Sequence, residues 1–533
     1  MLWIFAELSG CMCTILFNER KLQMTVSRTK KSIINARTAL VFYALNFLLS
    51  FFSRQAFIAH LGIEVLGLNT TVASLLGFLN LAELGIGGAI SFSLYRPLFR
   101  NDIQTINEIV SIQGWLYRKI AFVVMGGGIL LMLFFPLIFS KSDLPLWYAY
   151  GSFLVLLTSA LLGYFVNYRQ IVLVADQKEY KITQSIQSIR LVKTSLQIVA
   201  ISFLINAYVY WLIIELLAAF IIAAALNVVI KKECPYLHTA VSKGNILKHK
   251  YPEIIKKTKQ LFFHKIGSTV LGEISPLIIF AYSSLTLVAI YGNYMLIISC
   301  ASLLFSTMFN SVTAGVGSLV AEGNREKIKD FFYESFSVNF LFSVTVCFGL
   351  FCSIHSFVTL WVGEQYVLDN VVLYILIAIL YIRLTRVVGG AFLSAYGLFQ
   401  DVWATLVEAA LNIICSIILG YYWGLTGVVL GVFISLFLMI FLWKTYFALK
   451  WGIGIKMFDY FRYYIRHLIA LGIVTGVLLK LFSLFPTADL SWGNFIFYSV
   501  VKVSLFFILM FLCLYASCNG MKQFVKRLYK IGF

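Results

Sequence analysis

The chain has 533 residues, 61% of them hydrophobic and 12% charged, with a mean hydropathy of +0.90. That composition excludes a soluble globular domain and predicts an all-α, polytopic membrane protein. The formal charge of +19 would suit nucleic acid, but 34 of the 42 Lys and Arg fall in seven clusters (20–37, 96–119, 169–181, 231–265, 325–329, 444–466 and 522–530). Only Lys141 and Lys480 occupy the alternate gaps. This is the positive-inside pattern, so no nucleic-acid partner is expected, and both termini should be cytoplasmic.

In chain order, residues 1–37 read as a cytoplasmic lead. Its apolar stretch 2–17 is followed by Arg20 and Lys21, the reverse of a secretory signal. Met24 opens a natural lead-in, so a start there and a membrane-associated segment at 2–17 both stay open. A span needs about 20 apolar residues. Fourteen are predicted: 38–61, 65–95, 115–140, 146–174, 182–206, 208–230, 261–283, 285–320, 333–361, 368–398, 402–423, 425–449, 462–486 and 493–516. Runs 65–95 and 285–320 exceed one crossing, with kinks expected at Gly77, Gly85, Gly87 or Gly88, and at Gly315 or Gly317.

The organisation is an N-lobe of six spans (38–230), a cytoplasmic linker (231–260), a C-lobe of six spans (261–449), two extra spans (450–516) and a basic tail (517–533). "VLGLNTTVASLL" (65–76) and "AIYGNYMLIISC" (289–300) place Asn69 and Asn293 224 positions apart, and Asp176 and Gln400 share that offset. One register at two distant landmarks implies a duplicated six-helix unit. Six is even, so the copies insert the same way up, as a parallel repeat flanking a central cleft.

Polar positions inside the spans carry the functional signal. Asn46, Ser50, Ser53 and Arg54 form one stripe, against the alternative that Arg54 snorkels outward near Gly62. Span two offers Asn80, Glu83 and Gly87. In span five, Gln187, Arg190, Thr194 and Gln197 share a face, with Lys193 beside them and Arg190 about 12 Å inside. The alternative there is a long cytoplasmic helix extension. His264 and Lys265 open span seven, as cleft residues or interface anchors. Arg383, Arg386, Gly390 and Ser394 share a face near mid-span, and Glu408, Asn412 and Ser416 follow in span eleven. Glu83, Glu273 and Glu408 would either neutralise an arginine or couple transport to H⁺ or Na⁺; Glu215 is a further acid. Lys502 lacks polar company and reads as a helix-packing or interface residue.

Charge in hydrocarbon is costly and marks function by default. Cations outnumber the acids on these faces, so the cleft should select an anion. Arg54, Arg190, Lys193, Lys265, Arg383 and Arg386 are the expected ligands, with Asn46 and Gln187 adding hydrogen bonds. No cofactor, metal cluster, disulfide framework, catalytic triad or phosphate-binding loop is evident; Cys11 and Cys13 have the wrong spacing for zinc.

"LGIEVLGLNTTVASLLGFLNLAELGIGGAISFSLYRPL" (61–98), "LYRK" (116–119), "FHKIG" (263–267), "YGNYMLI" (291–297), "GVGSLVAEGNREK" (315–327) and "LWVGEQYVLD" (360–369) resemble the bacterial polysaccharide (O-antigen, Wzx-type) flippases. These belong to the multidrug/oligosaccharidyl-lipid/polysaccharide exporter superfamily. The resemblance runs from about 24 to about 516. It implies two six-helix bundles plus two C-terminal helices in the bacterial cytoplasmic membrane. The implied activity moves an undecaprenyl-pyrophosphate-linked oligosaccharide to the outer leaflet for surface polysaccharide synthesis, by transport rather than enzymatic chemistry. The implied partners are that lipid-linked cargo, membrane lipids, and a polysaccharide polymerase with its export machinery. One departure stands out: after "FHKIG" the family usually carries an Asp near "DNIII", where this chain reads "EISPLIIF" with Pro276. The alternatives are a multidrug cation antiporter of the same superfamily, a lipid II flippase, and a membrane-embedded polymerase or glycosyltransferase.

Overall fold

The computed structural model describes residues 28–398, 400–484 and 490–531. The start-site question and the Cys11–Cys13 pair lie outside them. The first lobe comprises α1 (Arg28–Leu61), α2 (Ile63–Leu79), α3 (Ile86–Arg100), α4 (Ile103–Leu133), α5 (Leu146–Phe165), α6 (Glu179–Phe203) and α7 (Ala207–Glu233). The second comprises α8 (Pro252–Tyr282), α9 (Leu285–Glu322), α10 (Arg325–Trp361), α11 (Asn370–Ala395) and α12 (Val402–Ser435). α12 reverses at Gly424 (φ 54°) and continues through π-helical turns at Leu436–Trp443 and Ala448–Ile453. The reversal is a tight hairpin: a Cβ on Gly427 would meet the Leu419 carbonyl, and Ser416 Oγ donates to the Val428 carbonyl at 3.0 Å.

Among the described residues, eleven helical stretches are long and apolar enough to cross a membrane. The stretch 403–453 counts twice because of its reversal. With the more polar α6 and α8 beside them, fourteen crossings result. The chain is a multi-pass membrane protein.

The repeat is visible in the helix boundaries. α5 and α11 begin 224 residues apart, at 146 and 370, and α4 and α10 begin 222 apart, at 103 and 325. The copies differ in the second crossing. In the first lobe it breaks after Leu79 into a 3₁₀ turn (Asn80–Glu83), and Gly85 turns left-handed at φ 90° before α3. In the second, α9 runs uninterrupted for 38 residues through Gly315 and Gly317. Of the expected kink sites, Gly85 alone sits at the break; Gly77 lies within α2, and Gly87 and Gly88 within α3.

The linker is shorter than its charge suggested. α7 runs to Glu233 and α8 starts at Pro252, leaving 234–251 between them. Proline in the first turn followed by Glu253 suits a helix start. This strap lies on α4. Asn107 bonds the Tyr236 carbonyl and the His238 N–H, Glu108 accepts from Lys250 and Tyr251, and Gly244 packs on Trp115.

The two extra crossings, α13 (Met457–Ser483) and α14 (Trp492–Ser517), build a second apolar core against α10 and α11, with Phe348 and Phe506 stacked at 4.1 Å. A last helix, α15 (Asn519–Ile531), crosses the base of α10. There Arg527 pairs with the buried Glu334 at 3.1 Å.

Two ends of the bundle matter below: the basic end, where α1 starts, and the far end, where it finishes. At the far end the lobes are sealed together. Trp361 Nε1 donates to the Phe51 carbonyl at 3.0 Å, and Phe51 packs edge-on against Phe357 and Trp361. On the opposite flank Lys141 donates to the Ala281 carbonyl at 3.2 Å, beside the Phe139–Phe280 ring pair. α2 lies along α8 and α9, so close that a Cβ on Gly67 would clash with the Leu285 carbonyl.

Candidate functional site

The intramembrane cations divide into three environments. Arg383, on α11, is exposed, about 20 Å along its helix from the far end. Arg190, on α6, is also exposed, at a similar depth of about 20 Å from Phe203. The two belong to different lobes. Among the described residues neither has a carboxylate within ion-pair distance. Tyr291 and Glu408 lie within electrostatic reach of Arg383.

Lys193 is compensated. Its ammonium lies 2.9 Å from both oxygens of Glu215, and Gln197 donates to the same carboxylate at 2.9 Å. Arg386 is packed instead: it donates to Thr445 Oγ1 at 2.7 Å, its Nε is buried without a partner among the described residues, and Tyr460 and Tyr464 are its neighbours. The helix face it was expected to share with Arg383 therefore divides. Arg383 points to the exposed side, Arg386 toward α13.

Arg54 is partly buried and spans the lobes, with Nη1 donating to Asn293 Oδ1 at 2.6 Å. It does not snorkel to the surface. Gln187 is buried and Asn46 half-buried. Asn46 Nδ2 donates to the Phe42 carbonyl at 2.9 Å and the Gln187 carbonyl at 3.4 Å, tying α1 to α6. The side chains of His264 and Lys265 lie outside the described residues.

The acids also differ. Glu83, in the 3₁₀ turn, accepts from Tyr117 at 2.7 Å. Glu273 lies against Gly77, across the lobe interface. Glu408 is 3% exposed, with Lys444 and Arg383 as its nearby charges. One turn on along the helix, Asn412 is fully buried, with Nδ2 on Ser435 Oγ at 3.4 Å and Oδ1 unpaired. Among the described residues no group of His, Cys, Asp and Glu could hold a metal.

A concavity of about 460 Å³ lies elsewhere, at the far end of the first lobe, between His60, Trp147, Tyr148, Asn206 and Tyr208. None of the intramembrane Arg or Lys lines it.

No protein-family model matches this sequence, and no curated protein matches it. Solved structures do. The lipid II flippase MurJ, in an inward closed conformation, superposes with a TM-score of 0.63 at 14% identity, covering 90% of this chain and 98% of that one. An inward-facing multidrug resistance MATE family transporter of the MOP superfamily gives 0.59 at 14% identity, covering 77% and 98%. The fold is that of these membrane transporters. A further match, the MATE multidrug transporter DinF-BH, gives 0.50 at 16% identity over 82% and 99%.

Two residues of the Arg54 contact escaped the sequence reading as ligands. Asn293 stood out there as a repeat landmark, not as a partner of Arg54. Gly292 makes space, since a Cβ on it would lie 3.3 Å from Arg54 Nη1. Neither role can be read from spacing, because each depends on how α1 and α9 meet across the lobes.

Proposed function

We propose that this protein is a flippase that carries an undecaprenyl-pyrophosphate-linked oligosaccharide from the inner to the outer leaflet by alternating access. One observation carries the reading: Arg190 and Arg383 stand exposed at matched mid-membrane depth on opposite lobes, without a carboxylate in contact among the described residues. A single ion moved into hydrocarbon costs on the order of 20 kcal/mol by Born solvation. In this reading the two guanidiniums offset that cost for a pyrophosphate from opposite lobes, while its lipid tail stays in the bilayer. Arg54 lies about 10 Å from the far end of α1, shallower than the other two, so the three make a ladder along the path. With the basic end cytoplasmic, as the charge pattern expects, the far-end seal closes the outer side, and cargo enters from the inner leaflet.

Lys193 and Arg386 fit supporting roles, the first as half of an ion pair and the second as a packing cation beside the extra helices. Glu408, buried beside Lys444 and Arg383, is the residue through which an H⁺ or Na⁺ gradient would act.

Arg383→Ala should abolish surface polysaccharide at normal membrane abundance and leave the lipid-linked precursor on the inner leaflet. Wild-type polysaccharide levels in that strain would remove Arg383 from the path. The species that accumulates separates the cargo classes: a lipid II build-up would assign peptidoglycan precursor. The antiporter alternative is disfavoured because the exposed cleft charges are arginines, which repel cationic drugs.

A further inference from the structure

We infer that Asn293 is the releasable half of an outer latch, and that the cargo's phosphate opens the latch by drawing Arg54 away from it. This rests on the anionic-cargo reading above. The Arg54–Asn293 bond crosses between lobes inside the membrane, Asn293 lying about 12 Å along α9 from its far end. The site is shaped for it. Gly292 leaves the guanidinium room that a Cβ, 3.3 Å from Nη1 and 3.6 Å from Nη2, would restrict. Asn293 is fully buried, and its Nδ2 has no partner among the described residues. The acceptor that holds Arg54 is therefore a neutral amide oxygen in a desolvated setting.

Such a contact holds the seam shut while the cleft is empty, yet it is undercompensated. Both bonds have an ionised donor, but a phosphate oxygen bears net charge, so Coulomb attraction and bidentate geometry add to its hydrogen bond and do not add to the amide's. Arriving from Arg190 and Arg383, the phosphate competes for the guanidinium. Once Arg54 turns to it, the lobes are held on this flank by the Trp361–Phe51 hydrogen bond and the Phe51, Phe357 and Trp361 rings. An aspartate at 293 would instead make a buried ion pair, which strongly resists separation. Asparagine thus lets the molecule distinguish a loaded cleft from an empty one.

The test uses the full chain in proteoliposomes, cysteine-free apart from Ser53→Cys, with an impermeant maleimide on the far side. Asn293→Ala should speed labelling about tenfold in empty vesicles, the shift expected on losing one charge-assisted hydrogen bond. Asn293→Asp should label more slowly than the parent, and Asn293→Ser, a milder change, should fall between Ala and the parent. Farnesyl pyrophosphate should speed labelling of the parent and leave Asn293→Asp unmoved. Equal basal rates in all four proteins would overturn the latch. Altered basal rates with no response of the parent to farnesyl pyrophosphate would overturn the cargo trigger, whereas the anionic-cargo reading falls separately, on wild-type polysaccharide from Arg383→Ala.

Discussion

At the residue scale, Lys193 and Arg190 sit three positions apart on α6, yet one is neutralised and the other is not. Sequence spacing placed both inside a span, and it raised the possibility that acids compensate some cations. It could not assign the pairs, because Glu215 is on α7 and the match depends on how two helices are rotated against each other. The pair is a structural one. Lys193 and Glu215 side chains are only 19% and 16% exposed, so removing one strands the other. Lys193→Met should lower stability by about 3–5 kcal/mol, read as a drop in melting temperature in detergent. Lys193→Met with Glu215→Gln should recover most of the loss. A single mutant as stable as the parent would show that the pair is water-screened.

At the element scale, fourteen crossings were legible because apolar run length is a local property. The positions of breaks were not. Six glycines were candidates for bending the second and eighth crossings, and Gly85 alone marks a break. The reason is tertiary. A Cβ on Gly85 would stand 2.6 Å from the Phe262 nitrogen and 2.7 Å from the Thr258 carbonyl, whereas Gly315 and Gly317 have nothing within 4 Å. Glycine lowers helix propensity anywhere, but a helix breaks where packing demands it. Gly85→Ala should cost about 2 kcal/mol or more, from left-handed strain and overpacking combined, while Gly317→Ala should be neutral or mildly stabilising. Thermal melts of the two variants side by side would check this. The start of α8 was misplaced for a related reason: Lys-rich 252–260 reads as a loop by charge, yet it is helix.

At the scale of the whole molecule, the duplication was readable from two landmarks, and α11 starts the same 224 residues after α5. The exposed cations were partly legible: Arg383 and Arg190 stand out by their place within apolar runs, Arg54 by its position but not by its partner across the lobes. In the proposed cycle, coupling belongs to the entire assembly: Glu408 is buried in one lobe, while the Arg54–Asn293 contact joins both. Glu408→Gln should leave cargo binding intact and make flipping insensitive to an imposed H⁺ or Na⁺ gradient. Vesicles in which the variant still responds to either gradient would place the coupling elsewhere.

The two copies are not mechanical equals. One carries a joint at Asn80–Gly85 in its second crossing, pressed against α8; the other has a 38-residue rod in the same place. Any rocking of one half against the other should therefore be taken up on one side only, with α9 as the lever arm and the jointed crossing as its fulcrum. A protein rebuilt from two second halves would keep the cavity's shape and lose its pivot.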